Sequence, residues 1–175
     1  MRKLILLSAP LALLASPALA QSTDVTGTVD INGSVAGRCM FTVPNKTISL
    51  GEISLASNGK LDVSKVNGRS ETLTGWCNNT TASMTVTSTE LTNSTSAPTG
   101  FDNRVNYTAT AVTGSTSASD SSVVAGAGTP SSVGLFTGDI VVTLSNASSP
   151  TNGLMVAGTY TGNVVVTLTP TVIGG

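Results

Sequence analysis

The sequence contains no histidine, and that absence removes the commonest general base and metal ligand from the available chemistry. No Ser-His-Asp triad and no His-ligated zinc site can be assembled. Charge is also scarce: 8 Lys+Arg stand against 9 Asp+Glu, and charged residues make up 10% of the chain. An average domain carries roughly 25%. A formal charge of −1 offers no basic surface for phosphate backbones, which argues against nucleic acid as a partner. Aromatic residues are 3% of the 175, with a single tryptophan, Trp76. Sugar-cleaving sites are built on aromatic platforms, and here the acidic residues stand singly, so no carboxylate pair is marked out. What is abundant is Ser and Thr, 23 and 28 residues, together with 18 Gly and many Val. That composition favours strands joined by small-residue loops.

Residues 1–20 read as an export signal. Arg2 and Lys3 precede the apolar Leu4-Ile5-Leu6-Leu7 and Leu11-Ala12-Leu13-Leu14-Ala15, and Ala18-Leu19-Ala20 supplies a small-x-small cleavage site before Gln21. Ser8, Pro10, Ser16 and Pro17 interrupt the run, leaving it short of the roughly 20 residues of a membrane span. No later segment has the uninterrupted apolar length either, so the expected mature chain has no transmembrane span. Cleavage removes Arg2 and Lys3 and leaves it mildly acidic. In an exported protein the only two cysteines, Cys39 and Cys77, are expected to form a disulfide.

A period of two runs through most of the remainder. Over residues 25–41 the odd positions read Val25, Gly27, Val29, Ile31, Gly33, Val35, Gly37, Cys39 and Phe41, while polar residues dominate the even ones. This alternation is far longer than the five or six residues of a typical strand. It is predicted to serve two places, divided near Gly33 or Gly37. Further strands are predicted around Thr47 to Leu50, and from the alternating Leu73, Gly75 and Cys77, then Ala82, Met84 and Val86, then Val105, Tyr107, Ala109 and Ala111, then Ile140, Val142 and Leu144, and finally Val164, Val166 and Leu168. Asn58-Gly59 and Asn67-Gly68 mark turns. The Ser/Ala/Gly/Thr-rich stretch 113–132 reads as a long surface loop. No window shows helical spacing. The pattern predicts an all-β sandwich or barrel.

Asp30-Ile31-Asn32-Gly33 lacks the later ligands of a calcium loop, and no metal or cofactor is expected. The feature left to carry function is the first strand. An amphipathic segment longer than its own domain can use is suited to join the open sheet edge of another molecule.

The landmarks resemble a known family. Val25-Thr26-Gly27-Thr28-Val29-Asp30-Ile31, Cys39, Ile48-Ser49-Leu50-Gly51, Cys77 and the closing run from Ala157-Gly158-Thr159-Tyr160 to Val164-Val165-Val166-Thr167-Leu168 are similar to bacterial chaperone–usher pilins, most of all the archaic type with a spore-coat-U-like domain. The resemblance implies a single immunoglobulin-like sandwich over residues 33–175 that lacks its final strand, preceded by a donor-strand extension over residues 21–32. It implies Val25, Gly27, Val29 and Ile31 as donor positions, and Val164, Val166 and Leu168 as the lining of an acceptor groove. A periplasmic chaperone would fill that groove first, and at an outer-membrane usher the extension of a neighbouring copy or related pilin would replace it. The expected function is a structural subunit of a surface fimbria, exported through the periplasm and supporting adhesion or biofilm formation, not an enzyme. The alternative is a self-complemented secreted sandwich acting as a surface or carbohydrate-binding protein. Family members end within or just after the last strand. Here Pro170, which cannot donate to a ladder, is expected to take the tail out of the sheet.

Overall fold

A computed structural model describes residues 24–171, so the export signal expected over residues 1–20 and the first residues of the extension expected over 21–32 lie outside the described residues, as does the end of the tail. The chain divides into two compact units, Met1–Ser34 and Val35–Gly175. In the first unit the described residues, 24–34, belong to no strand or helix, and Val25, Val29 and Ile31 are exposed. Of the alternating stretch 25–41, predicted to serve two places divided near Gly33 or Gly37, the described residues before Cys39 form no strand and β1 (Cys39–Val43) begins just beyond Gly37.

The second unit is all-β, with one short 3-10 turn at Val63–Lys65. Alternation produced its main strands as expected. β2 (Ser70–Cys77), β3 (Ser83–Ser88), β6 (Arg104–Thr113), β9 (Phe136–Ser148) and β11 (Val164–Thr169) each turn one set of side chains inward. On β6 the residues Val105, Tyr107, Ala109 and Ala111 are all buried, as period two requires. Shorter pieces complete the count: β4 (Leu91–Thr92), β5 (Phe101–Asp102), β7 (Thr116–Ser121), β8 (Ser131–Ser132) and β10 (Leu154–Met155).

The larger antiparallel sheet runs β1-β2-β9-β6-β4, with β7 also pairing β6; a second runs β11-β3-β8. Met84, Val86 and Val166 from the second meet Ala109, Ala111, Ile140, Val142 and Leu144 from the first in one core, the arrangement of a β-sandwich. A parallel pair, β5 with β10, lies apart from both sheets.

Two expectations are corrected here. The stretch 113–132 is not a plain loop, because β7 pairs with β6 from Thr108↔Ser121 to Thr113↔Thr116 and buries Ala118 and Asp120. Asp120 tolerates burial because its carboxylate accepts hydrogen bonds from the Ser88 N–H at 2.7 Å and the Ser88 hydroxyl at 2.8 Å. It ties β7 to the end of β3. Residues 47–50 form no strand, although Ile48 and Leu50 do pack on the core.

Cys39 and Cys77 face each other across the β1–β2 ladder, 4.1 Å apart at Cα, and are joined by a disulfide. Both predicted Asn-Gly turns are present, with Gly59 and Gly68 at φ of 67° and 78°. β11 ends at Thr169; beyond Pro170 the Thr171 hydroxyl donates to the Thr81 carbonyl at 2.8 Å and the Asn79 amide donates to the Thr171 carbonyl.

Candidate functional site

β11 has one hydrogen-bonding neighbour among the described residues, β3, in the register Val164↔Ser88 to Thr169↔Ser83. Just before the strand, the Thr89 N–H donates to the Asn163 carbonyl at 2.9 Å. Antiparallel ladders alternate bonded and non-bonded pairs. Bonded pairs thus fall on Asn163, Val165, Thr167 and Thr169, and the main-chain groups of Val164, Val166 and Leu168 point away from β3 to the unpaired edge. The same three side chains face inward: Val166 is buried and Val164 and Leu168 are half-buried against the core. An incoming strand would meet free donors and acceptors and apolar side chains at the same three residues.

At the Val164 end of this edge lies a groove with a cavity of about 270 Å³, which Val166 and Leu168 do not line. Its floor is the inner face of the large sheet, Leu73, Tyr107, Val142 and Leu144, with Leu91 at its side. One wall is Gly162, Asn163 and Val164; the other is the non-strand segment carrying Ile48 and Leu50. A second depression continues it between residues 47–54 and 155–162.

The two walls are held very differently. Residues 155–160 are anchored by Tyr160, whose hydroxyl donates to the Val156 carbonyl at 2.8 Å and lies 3.1 Å from the Asp102 carbonyl. The Asn93 amide reaches the carbonyls of Val156 and Ala157 at 3.3 and 3.1 Å. Gly158, at φ 139°, lets the chain pass so near that a Cβ there would sit 2.7 Å from the Asn93 amide nitrogen. Residues 44–51, by contrast, make no hydrogen bond among the described residues and are held by Ile48 and Leu50 alone.

Tyr107 pins the groove from below, its hydroxyl donating to the Asn163 carbonyl at 3.1 Å. Burial, and secondly the Asp120 carboxylate, push the phenol up to about 12, so it remains a neutral donor. Asp102, buried under the fixed wall, accepts from the Gly153 N–H at 2.7 Å and from the Thr151 hydroxyl at 2.9 Å. Burial acts most strongly on it, raising its pKa, but the bonds from Gly153, Thr151 and Ser149 together outweigh that and hold the carboxyl below its ordinary value.

A carboxyl whose pKa is lower folded than unfolded stabilises the fold fully above the unfolded value, about 3.9, and loses that contribution as pH falls through the folded one. Asp102→Asn is therefore expected to flatten the acid limb of stability below about pH 4. Urea midpoints of both chains across that range check it. An unchanged gap between the two curves on acidification would contradict the assignment. Glu52 and Asp62 are also lowered, by hydrogen bonds from Ser54 and Ser64, and contribute equally to both curves.

The structure thus gathers Val164, Val166 and Leu168 along one edge and joins Cys39 to Cys77, while Val25, Gly27, Val29 and Ile31 are exposed. Sequence reasoning did not assign the floor residues Leu73, Tyr107, Val142 and Leu144 or the wall residues Ile48 and Leu50 to a site. Their alternation marks an inward face and carries no sign that the face is left open. No group of three or more Cys, Asp or Glu among the described residues could hold a metal ion, and no described helix is long and apolar enough to cross a membrane. Comparison with protein-family models, curated proteins and solved structures finds no match.

Proposed function

We propose that the chain is a structural subunit of a surface fimbria, polymerised by insertion of the N-terminal segment of one copy into the groove beside β11 of the next. On this reading the second unit is an immunoglobulin-like, pilin-type sandwich that lacks its final strand, held by a periplasmic chaperone and passed on by an outer-membrane usher until the donor arrives. The carrying observation is the edge of β11, without a ladder partner among the described residues, which at Val164 meets a groove with an apolar floor and a second wall that makes no main-chain bond among the described residues. The exposed Val25, Val29 and Ile31 have the period-two spacing that such a groove takes, with Gly27 as the small member of the series. Contact between a donor and a different acceptor surface is head-to-tail and does not close, so it propagates as a filament. Adhesion or biofilm formation follows from a filament at the cell surface.

The test is competition. An excess of synthetic peptide spanning residues 24–34 is expected to cap growing ends and suppress polymerisation of the chain that begins at residue 21, read by light scattering and electron microscopy. The same peptide carrying Val29→Asp is expected to be at least about tenfold weaker, because moving a carboxylate from water onto the apolar floor of Leu73, Val142 and Leu144 costs about 2 kcal/mol or more. Equal potency of the two peptides, or none from either, would count against the groove as acceptor.

A further inference from the structure

The sequence holds four Asn-Gly pairs: Asn32-Gly33, Asn58-Gly59, Asn67-Gly68 and Asn152-Gly153. Such pairs can modify themselves, because glycine has no side chain to shield its amide nitrogen from the preceding asparagine amide. The nitrogen loses its proton and attacks Cγ of the asparagine. A C–N bond forms, the Cγ–Nδ2 bond breaks, and Nδ2 leaves with the proton as ammonia. Water then opens the resulting five-membered succinimide at either carbonyl, giving aspartate or isoaspartate. Water is the sole co-reactant.

Three of the four pairs are disarmed by the fold. The Gly59 N–H donates to the Leu55 carbonyl at 2.7 Å, and the Asn58 side-chain oxygen accepts from the Lys60 N–H at 3.0 Å. The Gly68 N–H donates to the Leu144 carbonyl at 2.8 Å, and the Asn67 oxygen accepts from the Ala147 N–H at 2.8 Å. The Gly153 N–H donates to the Asp102 carboxylate at 2.7 Å, which also disfavours loss of its proton. In each case the attacking nitrogen is committed elsewhere, and reaction waits on local opening. Asn32-Gly33 differs on every count. Both residues are exposed, neither main chain nor side chain has a hydrogen bond among the described residues, and beyond Gly33 and its two chain neighbours no described heavy atom lies within 4 Å of where a Gly33 Cβ would stand.

The geometry points to Asn32 as a self-modification site that limits how long an unassembled subunit stays competent. This second part rests on the donor-strand reading. Isoaspartate inserts an extra backbone atom next to Ile31 and adds a negative charge, both of which spoil an extension of the ladder at that point. Once the segment is docked as a strand, its backbone is held extended and bonded, and Asn32 is protected. Assembly and ageing compete for the same residue.

Peptide mapping by mass spectrometry, with isoaspartyl methyltransferase labelling, tests both parts on the chain beginning at residue 21 after incubation at mildly alkaline pH. In the soluble folded protein, Asn32 is expected to convert at least about tenfold faster than Asn58, Asn67 and Asn152. In denaturant the four rates should converge. Gly33→Ala should slow conversion at Asn32 alone. Equal rates at all four sites in the folded chain would overturn the assignment of Asn32. Filaments give the separate second reading: protection of Asn32 there supports the lifetime role, and unchanged conversion in filaments would overturn that role and place residue 32 outside the docked strand.

Discussion

Removal of residues 24–32 is expected to leave a folded monomer that no longer builds filaments, whereas the chain beginning at residue 21 polymerises. Folding should survive because none of these residues belongs to the core, which draws on Phe41 and residues beyond it. The thermal midpoint should be unchanged within the scatter of surface substitutions, about 0.5 kcal/mol. Assembly should not survive. Docking Val25, Val29 and Ile31 in an apolar groove is worth roughly 1.5–3 kcal/mol for each side chain, before any main-chain bond to the edge of β11 is counted. At 1.4 kcal/mol for each factor of ten, their loss weakens the contact by at least about a thousandfold. Electron microscopy and sedimentation of both chains read the outcome. Filaments that persist after the deletion would place the subunit contact elsewhere and sink the proposal. The same contacts predict slow dissociation, so intact filaments should resist dilution for long periods.

Replacing both Cys39 and Cys77 by Ala is expected to cost about 4 kcal/mol, the chain-entropy value for a loop of this length. The bonded residues are separated by 38 positions, and the closed loop contains β1, the loosely held groove wall and β2. A loss of that size is a large share of the 5–15 kcal/mol typical of a whole domain. With a urea slope near 2 kcal/mol/M, the midpoint should fall by about 2 M. The effect is expected to be local as well as global. β1 is an edge strand with β2 as its one ladder partner among the described residues, and the disulfide is the cross-link that holds it in register there. Hydrogen exchange should therefore rise first in Cys39–Val43. A midpoint shift below about 0.5 M would mean that the reduced, unfolded chain already keeps this loop closed.

Much of the fold could be read from residue order. β3, β6, β9 and β11 announce themselves by alternate Met, Val, Ile, Leu and Ala, because burying one face of a strand demands a period of two and little else. The cysteine pairing was legible for a simpler reason, since only two cysteines exist. β7 was not legible. Its sequence, TSASDS, has no apolar stripe, and it is a strand because β6 offers it a ladder and Ser88 satisfies Asp120. Residues 47–50 show the opposite failure. Ile48 and Leu50 alternate correctly and do reach the core, but among the described residues no main-chain group bonds to theirs, and a strand without a partner is only an extended chain.

By itself the sequence determined which face of each main strand is apolar, where the turns fall, and that an alternating segment precedes the sandwich. These are local properties, carried by residues two apart. Only the tertiary structure decided that β2 pairs with β9, that β11 has β3 as its one ladder partner among the described residues, and that an apolar floor lies open by Val164. Pairing joins segments far apart in the chain, so whether an edge is filled depends on the whole set of strands competing for it. Val164, Val166 and Leu168 read in sequence as one apolar face, and which neighbour their main chain bonds is a matter of pairing: β3 takes one side of the strand, and the other has no ladder partner among the described residues.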